Sequence, residues 1–525
     1  MKAFLILGGL ILAACSGLAG AQRPAGVFEG YSALATRNQN PIDDLVFARL
    51  KELNIQPARV CSDSVFVRRV YLDVIGTLPK GYEAEQFLAS ADPNKRRALI
   101  DRLLQRSEFA DYWAMKWSDL LRIKAEFPIN LWPNAAQAYH HWIRDSLRDN
   151  MPYDQFARQL LTSSGSNFRV PPVNFYRAMQ SKDPSTIART VALTFMGTRA
   201  EKWPSNQLAG LTAFFSAIGY KHTSEWKEEI VIFDQSLATN LSAQTAVFPD
   251  GTRARLSPDR DPREVFADWL VDPKNPWFTQ NIANRAWSWL LGRGVVQEPD
   301  DIRPDNPPSD PELLALLEKE LIASHYDLKQ LFRLILNSKT YQLSSVAASD
   351  NPEAAAHFAF YPLRRLEAEV LIDALDQITG GAETYSSAIP EPFTFVPKDV
   401  RSIALEDGSI SSSFLDMFGH SPRDTGLEDE RNNHPSAEQR LHLLNSSHIE
   451  QKLEQSRLIP ALVQSTKTPR QIADALYLGI LSRFPTADEV NISTNYYQTV
   501  GLNRRQATID LGWALINTSE FLYRH

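Results

Sequence analysis

The sequence predicts a mainly α-helical fold: two helical domains joined across a small β-hairpin insert, with a long irregular segment in the C-terminal half. Three observations carry this. Apolar residues recur every three or four positions along most of the chain, the period of a helix with one buried face. That period breaks at Glu229-Ile-Val-Ile-Phe233 and Thr245-Ala-Val-Phe248, short apolar runs followed by the turn signal Pro249-Asp250-Gly251. Residues 380–435 are rich in Pro, Ser, Gly and charge and show little periodicity, the mark of a long loop of the kind that often carries function.

Residues 1–21 read as an export signal. Lys2 is followed by an apolar run, Ala3 to Ala14, too short to span a membrane, which takes roughly 20 residues. Two cleavage sites compete. Leu12-Ala13-Ala14-Cys15 is similar to a lipobox, in which Cys15 takes the lipid and becomes the N-terminus; Ala19-Gly20-Ala21 suits ordinary cleavage before Gln22. The lipobox is favoured because Cys15 stands at the end of the apolar run. Residues 22–40 form a polar tether.

The N-terminal helical domain, 41–220, opens at Pro41 with Ile42, Leu45, Val46, Leu50 and Leu53 as its first stripe. Helices are expected over Val65–Ile75, Glu83–Ala89, Tyr112–Lys124, Ala135–Asp149, Tyr153–Thr162, Ser185–Met196 and Asn206–Ile218. A further one starts after Asp92-Pro93, with Leu99, Leu103 and Leu104 on its apolar side. The insert and linker take 221–260. The C-terminal helical domain, 261–525, holds Glu264–Leu270, Phe278–Leu290, Pro311–Ser324, Leu328–Ser338 and Leu363–Ile378. After the irregular segment come Ser436–Asn445, Ile449–Gln455, Pro469–Leu481, Thr486–Thr499 and Arg504–Leu522.

The bulk properties exclude several classes. The net charge of −7, with no basic patch, argues against a nucleic-acid partner. With two cysteines, Cys15 and Cys61, signal cleavage leaves a single unmodified thiol and no internal disulfide. Stability then rests on the core, which 11 Trp, 16 Tyr and 26 Phe can supply.

The two ends of the chain echo each other. Val70-Tyr-Leu-Asp-Val-Ile-Gly-Thr-Leu-Pro79, with Glu83 beyond, matches Leu476-Tyr-Leu-Gly-Ile-Leu-Ser-Arg-Phe-Pro485, with Glu489 beyond; each unit later reaches Ser-Glu-Phe, at Ser107–Phe109 and Ser519–Phe521. Either the units share an interaction or they repeat a packing solution, and packing is the plainer reading.

Specific strings add a resemblance. Cys61-Ser62-Asp63, Phe66-Val-Arg-Arg-Val-Tyr-Leu-Asp73, Arg106-Ser-Glu-Phe109 and Trp117-Ser-Asp-Leu-Leu-Arg122 resemble domain-of-unknown-function family 1549. Asp268-Trp-Leu270, Pro273-Lys-Asn-Pro-Trp-Phe278, Asn284-Arg285, Gly292-Arg-Gly294, Asn306-Pro-Pro-Ser309 and Leu443-Leu-Asn-Ser-Ser447 resemble its companion, family 1553. The resemblance implies an exported bacterial protein and no defined activity. Many relatives carry C-x-x-C-H-x-H-P after the helix that here ends Phe195-Met196-Gly197, where this chain reads Thr198-Arg-Ala-Glu-Lys-Trp-Pro204. No haem or metal role carries over to that spot.

The richest polar stretch runs from Pro422 to His434. Asp424, Glu428, His434 and His442 are the candidate acid, base or metal-binding groups, to be joined in a cleft by Arg365 or Glu369. Against them stands a solvated loop, and for Arg364, Arg365, Glu367, Glu369 and Asp373 a charged helix face. The adjacent His140 and His141 point to different faces. No phosphate loop, G-x-S-x-G elbow or HExxH is present, so no cofactor, haem or metal is expected. The leading reading is an exported envelope component, lipid-anchored in the periplasm or outer membrane, that binds a protein or a polysaccharide. The alternative is a hydrolase or metal-dependent enzyme acting on envelope polymers.

Overall fold

A computed structural model describes residues 40–238, 246–499 and 502–525. The expected signal, the tether up to residue 39 and Cys15 lie outside them, as does Thr245. Among the described residues no helix is long and apolar enough to cross a membrane.

The molecule is mainly helical, and many of its helices start where side chains satisfy their free N–H groups. Asn40, Asp183, Asp261, Asp310 and Thr468 each accept from the first turn of a helix that opens on proline. Thr486 and Glu489 form a reciprocal cap on Ala487–Tyr496. The helix Asp63–Ile75 ends at Gly76, φ +57°, where a Cβ would fall 2.4 Å from the ring of Tyr112. Glycine is required there by both backbone and space.

The insert differs from expectation in its pairing. The helix starting at Ser205 stops at Thr212, and Ile218–His222 is a strand, with Ile218 opposite Phe233 and His222 opposite Glu229. A third short strand, Gly165–Ser166, flanks Glu229–Phe233 on its other side. The second apolar run instead folds on itself: Val247 bridges Arg253 around Gly251. Another difference falls at Arg364–Arg365. Rather than opening a helix, they pair as a strand with Tyr523–Arg524, and the helix begins at Ala368. The expected last helix breaks after Ile516. Thr518 caps a new turn, Ser519–Leu522, that delivers the C-terminus to this pairing.

One apolar core runs through both helical halves, from Ile42 to Phe521. Across it lies a buried ionic network. The Asp73 carboxylate accepts from the hydroxyls of Tyr341 (2.9 Å) and Tyr361 (2.8 Å) and from the guanidiniums of Arg364 (3.3 Å) and Arg524 (3.2 Å). Arg524 also pairs with Glu367, which takes Lys116 at 2.8 Å. Burial works to raise the Glu367 carboxyl, but Arg524, Lys116 and Arg431 outweigh it and hold the group well below the usual range. Arg68 donates to the carbonyls of Ile480 and Phe521; Arg69 donates to those of Tyr341, Leu343 and His525. The helix Asp63–Ile75 therefore buries its charges against the second half, so the expected charged helix face at Glu367, Glu369 and Asp373 is an interior one.

The two echoing segments carry the same arrangement. Arg106 joins Glu83 (2.9 Å) to Glu108 and lies over the ring of Tyr71. Arg483 joins Glu489 (2.7 Å) to Glu520 (2.6 Å) and lies over Tyr477. In each, the Ser-Glu-Phe glutamate closes the clamp and its phenylalanine, Phe109 or Phe521, is buried.

Replacing Asp73 with Asn removes the only carboxylate shared by Arg364 and Arg524 in this network. Urea unfolding should report a loss of about 3–5 kcal/mol, the cost of an uncompensated buried charge. Glu52→Ala, which breaks the exposed Arg49–Glu52 pair, should stay within about 0.5 kcal/mol.

Candidate functional site

The six residues singled out in the sequence find separate partners. Asp424 pairs with Lys124 at 2.7 Å. Glu428 accepts from the Trp289 indole at 2.8 Å, and burial, then Asp300, pushes its carboxyl up. Glu369 pairs with Arg431, whose attraction outweighs burial and keeps the glutamate ionised. Arg365 donates to the carbonyls of Phe418, Asn432 and Asn433. His434 is exposed. His442 meets His448 at 3.2 Å, and His448 in turn meets Glu383 at 2.9 Å. Arg365 and Glu369 thus come together on one stretch, 431–433, and what they do there is hold down the irregular segment. Arg431 and Arg423 extend that anchor to Asp119 of the N-terminal half, at 2.7 and 3.1 Å.

The surface so anchored carries an aromatic platform built from three distant segments. The Trp132 ring stands edge-on to Trp226 (6.4 Å, 81°) and Phe393 (5.3 Å, 61°). The Lys227 ammonium lies 5.2 Å from the Trp132 ring and 5.3 Å from that of Trp226. Trp226 is 69% exposed and Phe393 45%; Phe127 (80%) and Phe395 (65%) stand in solvent on two of the same segments.

Two of the three segments are held by hydrogen bonds. Trp226 and Lys227 sit at the tip of the hairpin, where Glu228 accepts from Ser166 (2.6 Å) and Thr223 (2.7 Å). Asn167 donates to the Lys227 carbonyl and accepts from the Glu229 N–H. The loop before Trp132 closes on itself through Leu131 N to Lys124 O and Trp132 N to Ala125 O. It is tied to the irregular segment through Ala125 N to Asp407 (2.8 Å) and Glu126 N to Ser409 (3.0 Å). Trp132 itself has φ +74° and ψ 146°, a region nearly reserved for glycine, which costs about 1–3 kcal/mol. Buried Leu131 on one side and buried Pro133 on the other hold it there. In the sequence the aromatics count toward the core as a group, and that reading singles out none of Trp226, Phe393 or Phe395. A lone tryptophan inside Thr223-Ser-Glu-Trp-Lys-Glu228 was the available signal, since nothing around it is apolar.

A separate polar cleft of about 300 Å³ lies where the first echo unit meets the helix Ala368–Thr379, lined by Glu83, Arg106, Glu108, Asp373, Asp376 and Arg401 among others. Burial pushes the Asp373 carboxyl up to about 6 even though Arg401 and the N–H groups of Ser402 and Ile403 oppose it. Asp376 is also pushed up by burial, against the pull of Lys452 at 2.5 Å.

Comparison with known proteins finds two family models that match successive regions of the chain. Residues 41–209 match the model of a protein of unknown function (DUF1549), and residues 262–497 match that of another (DUF1553). No curated protein and no solved structure matches the chain.

The Asp373 carboxyl makes a pH-dependent contribution of definite sign. Its native value, about 6, lies above its ordinary 3.8, so the native state holds the proton more tightly. The contribution is full below about pH 4 and is lost as pH rises through 6, by roughly 3 kcal/mol. In urea unfolding at pH 4 to 7, the stability of Asp373→Asn relative to the wild type should therefore climb by about that amount. Parallel pH curves for the two proteins would contradict the assignment.

Proposed function

For a chain that joins a DUF1549 region to a DUF1553 region, we propose the role of an exported, lipid-anchored envelope component that binds a polysaccharide on the Trp132–Trp226–Phe393 platform. The observation that carries this reading is the platform itself: the solvent-exposed rings of Trp226 and Phe393 set against a half-buried Trp132 whose backbone is held at some conformational cost. Preorganised aromatic faces offer the C–H sides of sugar rings large contact area with little entropy to lose. The fringe is polar. Lys227 and the Arg169–Glu225 pair (3.2 Å) can meet hydroxyl or acidic substituents. A stable protein partner would call for an apolar centre within about 800 Å² per side. A strip of a few rings rimmed by charge fits a polymer chain better. Lipidation at Cys15, with residues 16–40 as tether, keeps such a surface close to the envelope.

The hydrolase reading draws its one support from the polar cleft, where Asp373 and Asp376 are both shifted toward the range of a general acid. Asp373 already accepts two backbone N–H groups and Asp376 already holds Lys452. Binding is the stronger reading.

Two measurements test the proposal. In affinity electrophoresis against a panel of neutral and acidic envelope polysaccharides, at least one should retard the protein. Trp226→Ala should weaken that retardation about tenfold or more, with the melting temperature unchanged because Trp226 is so exposed. Retention unaffected by the substitution, or none across the panel, would sink the reading. Separately, Cys15→Ser should move the protein from the membrane fraction to the soluble one.

A further inference from the structure

We propose that His140, His141 and Glu406 form a binding site for a divalent transition-metal cation of the zinc type, independent of the platform's function. The three side chains each offer a ligand atom, and these atoms lie within 4.8 Å of one another. They come from two segments: the histidines from the helix Pro133–Arg148, and the glutamate from the turn that follows Ser402–Ala404.

His140 is the observation that points to a ligand. It is 1% exposed, and neither ring nitrogen has a hydrogen-bond partner. Buried polar atoms are almost always paired, and an imidazole orphaned at both nitrogens forfeits about 1–3 kcal/mol per missing bond. Beside it, the His141 Nε2 and the Glu406 carboxylate are 2.6 Å apart, and both reach solvent. A cation entering from that side would take the carboxylate and His141 at the mouth and His140 at the base. Ligand distances near 2.0–2.2 Å would draw the three atoms together by side-chain rotation.

The donor set selects the ion. Two imidazoles and one carboxylate suit Zn²⁺, Co²⁺, Ni²⁺ or Cu²⁺, whereas Ca²⁺ and Mg²⁺ require oxygen ligands. Three protein ligands leave a coordination position for water on the exposed side. The charges facing the site are balanced: Arg144 is paired with Asp111 at 2.5 Å, Arg423 with Asp119 at 3.1 Å, and Asp145, near His141, with Arg148 at 2.6 Å. A bound ion would also fasten the irregular segment to the helix that Trp132 precedes, since Glu406 adjoins Asp407, the acceptor for Ala125 N–H.

The test uses tag-free protein stripped with a chelator and titrated with Co²⁺ alone, followed by the visible spectrum of the bound ion. One equivalent should bind and be displaced by one equivalent of Zn²⁺. Each of His140→Gln, His141→Gln and Glu406→Gln should weaken binding about tenfold or more, whereas His442→Gln, at the other histidine pair, should not. X-ray absorption of the zinc-loaded wild type should count two imidazoles, a readout that does not depend on the folding of the buried His140 variant. No spectral change with Co²⁺, a single imidazole, or undiminished binding by the exposed His141 variant would each overturn the proposal.

Discussion

The fold turns on a carboxylate that water does not reach. Asp73 lies on a helix of the N-terminal half, and its four partners, Tyr341, Tyr361, Arg364 and Arg524, all lie beyond residue 340. Moving a carboxylate into the interior costs several kcal/mol, returned only if its lone pairs are satisfied with good geometry. Arg68 and Arg69, one helical turn earlier, reach the C-terminal region through the main-chain carbonyls of Ile480, Phe521 and His525. The helix Asp63–Ile75 therefore cannot reach a satisfied state from residues of its own half. Without Tyr523–Arg524, and without the strand they form with Arg364–Arg365, its charges would be buried and unpaired. The two helical halves are folded against each other by this requirement, and their apolar core is continuous for the same reason.

The same logic explains what could be read in the sequence. Helices whose apolar stripe repeats and whose starts carry Pro and a capping side chain were legible to within a few residues, as at Pro311–Ala323 and Pro469–Leu481. Local capping and local periodicity decided those. The errors fall where a distant partner decides. Arg364 and Arg365 fit a helical charge pattern, yet Arg364 is drawn out by Asp73 and both are paired as strand with the C-terminus. Ile218 fits the end of a helix, yet pairs with Phe233. For an amphipathic helix, charge at i and i+4 reads as a solvated face; burial of Glu367 and Glu369 depends on Lys116, Arg524 and Arg431, which are remote in sequence.

The candidate residues show a related limit. Composition located the important stretch, 422–434, but not its use. Its acids and arginines meet Lys124, Asp119, Trp289 and Glu369, groups that hold the segment down rather than groups that face a substrate. The exposed aromatics were hard to read for the opposite reason. Trp226 and Phe393 lie in stretches without periodicity, and only the all-polar neighbours of Trp226 set its ring apart from one tucked into the core.

Anchoring and display are linked through one loop. The backbone from Lys124 to Trp132 is tied to Asp407 and Ser409, and the segment bearing them is tied to the ionic network through Arg423 and Asp119. An unusual backbone conformation such as that of Trp132 persists only if its surroundings over-determine it. Here the surroundings are a ladder to Lys124 and Ala125, a buried leucine, a buried proline and a segment pinned by buried charge. The strain at Trp132 is thus sustained by the same burial of ions that joins the two halves. The irregular segment, which looks in sequence like the least organised part of the chain, carries core stability out to the surface where a ring is held in solvent.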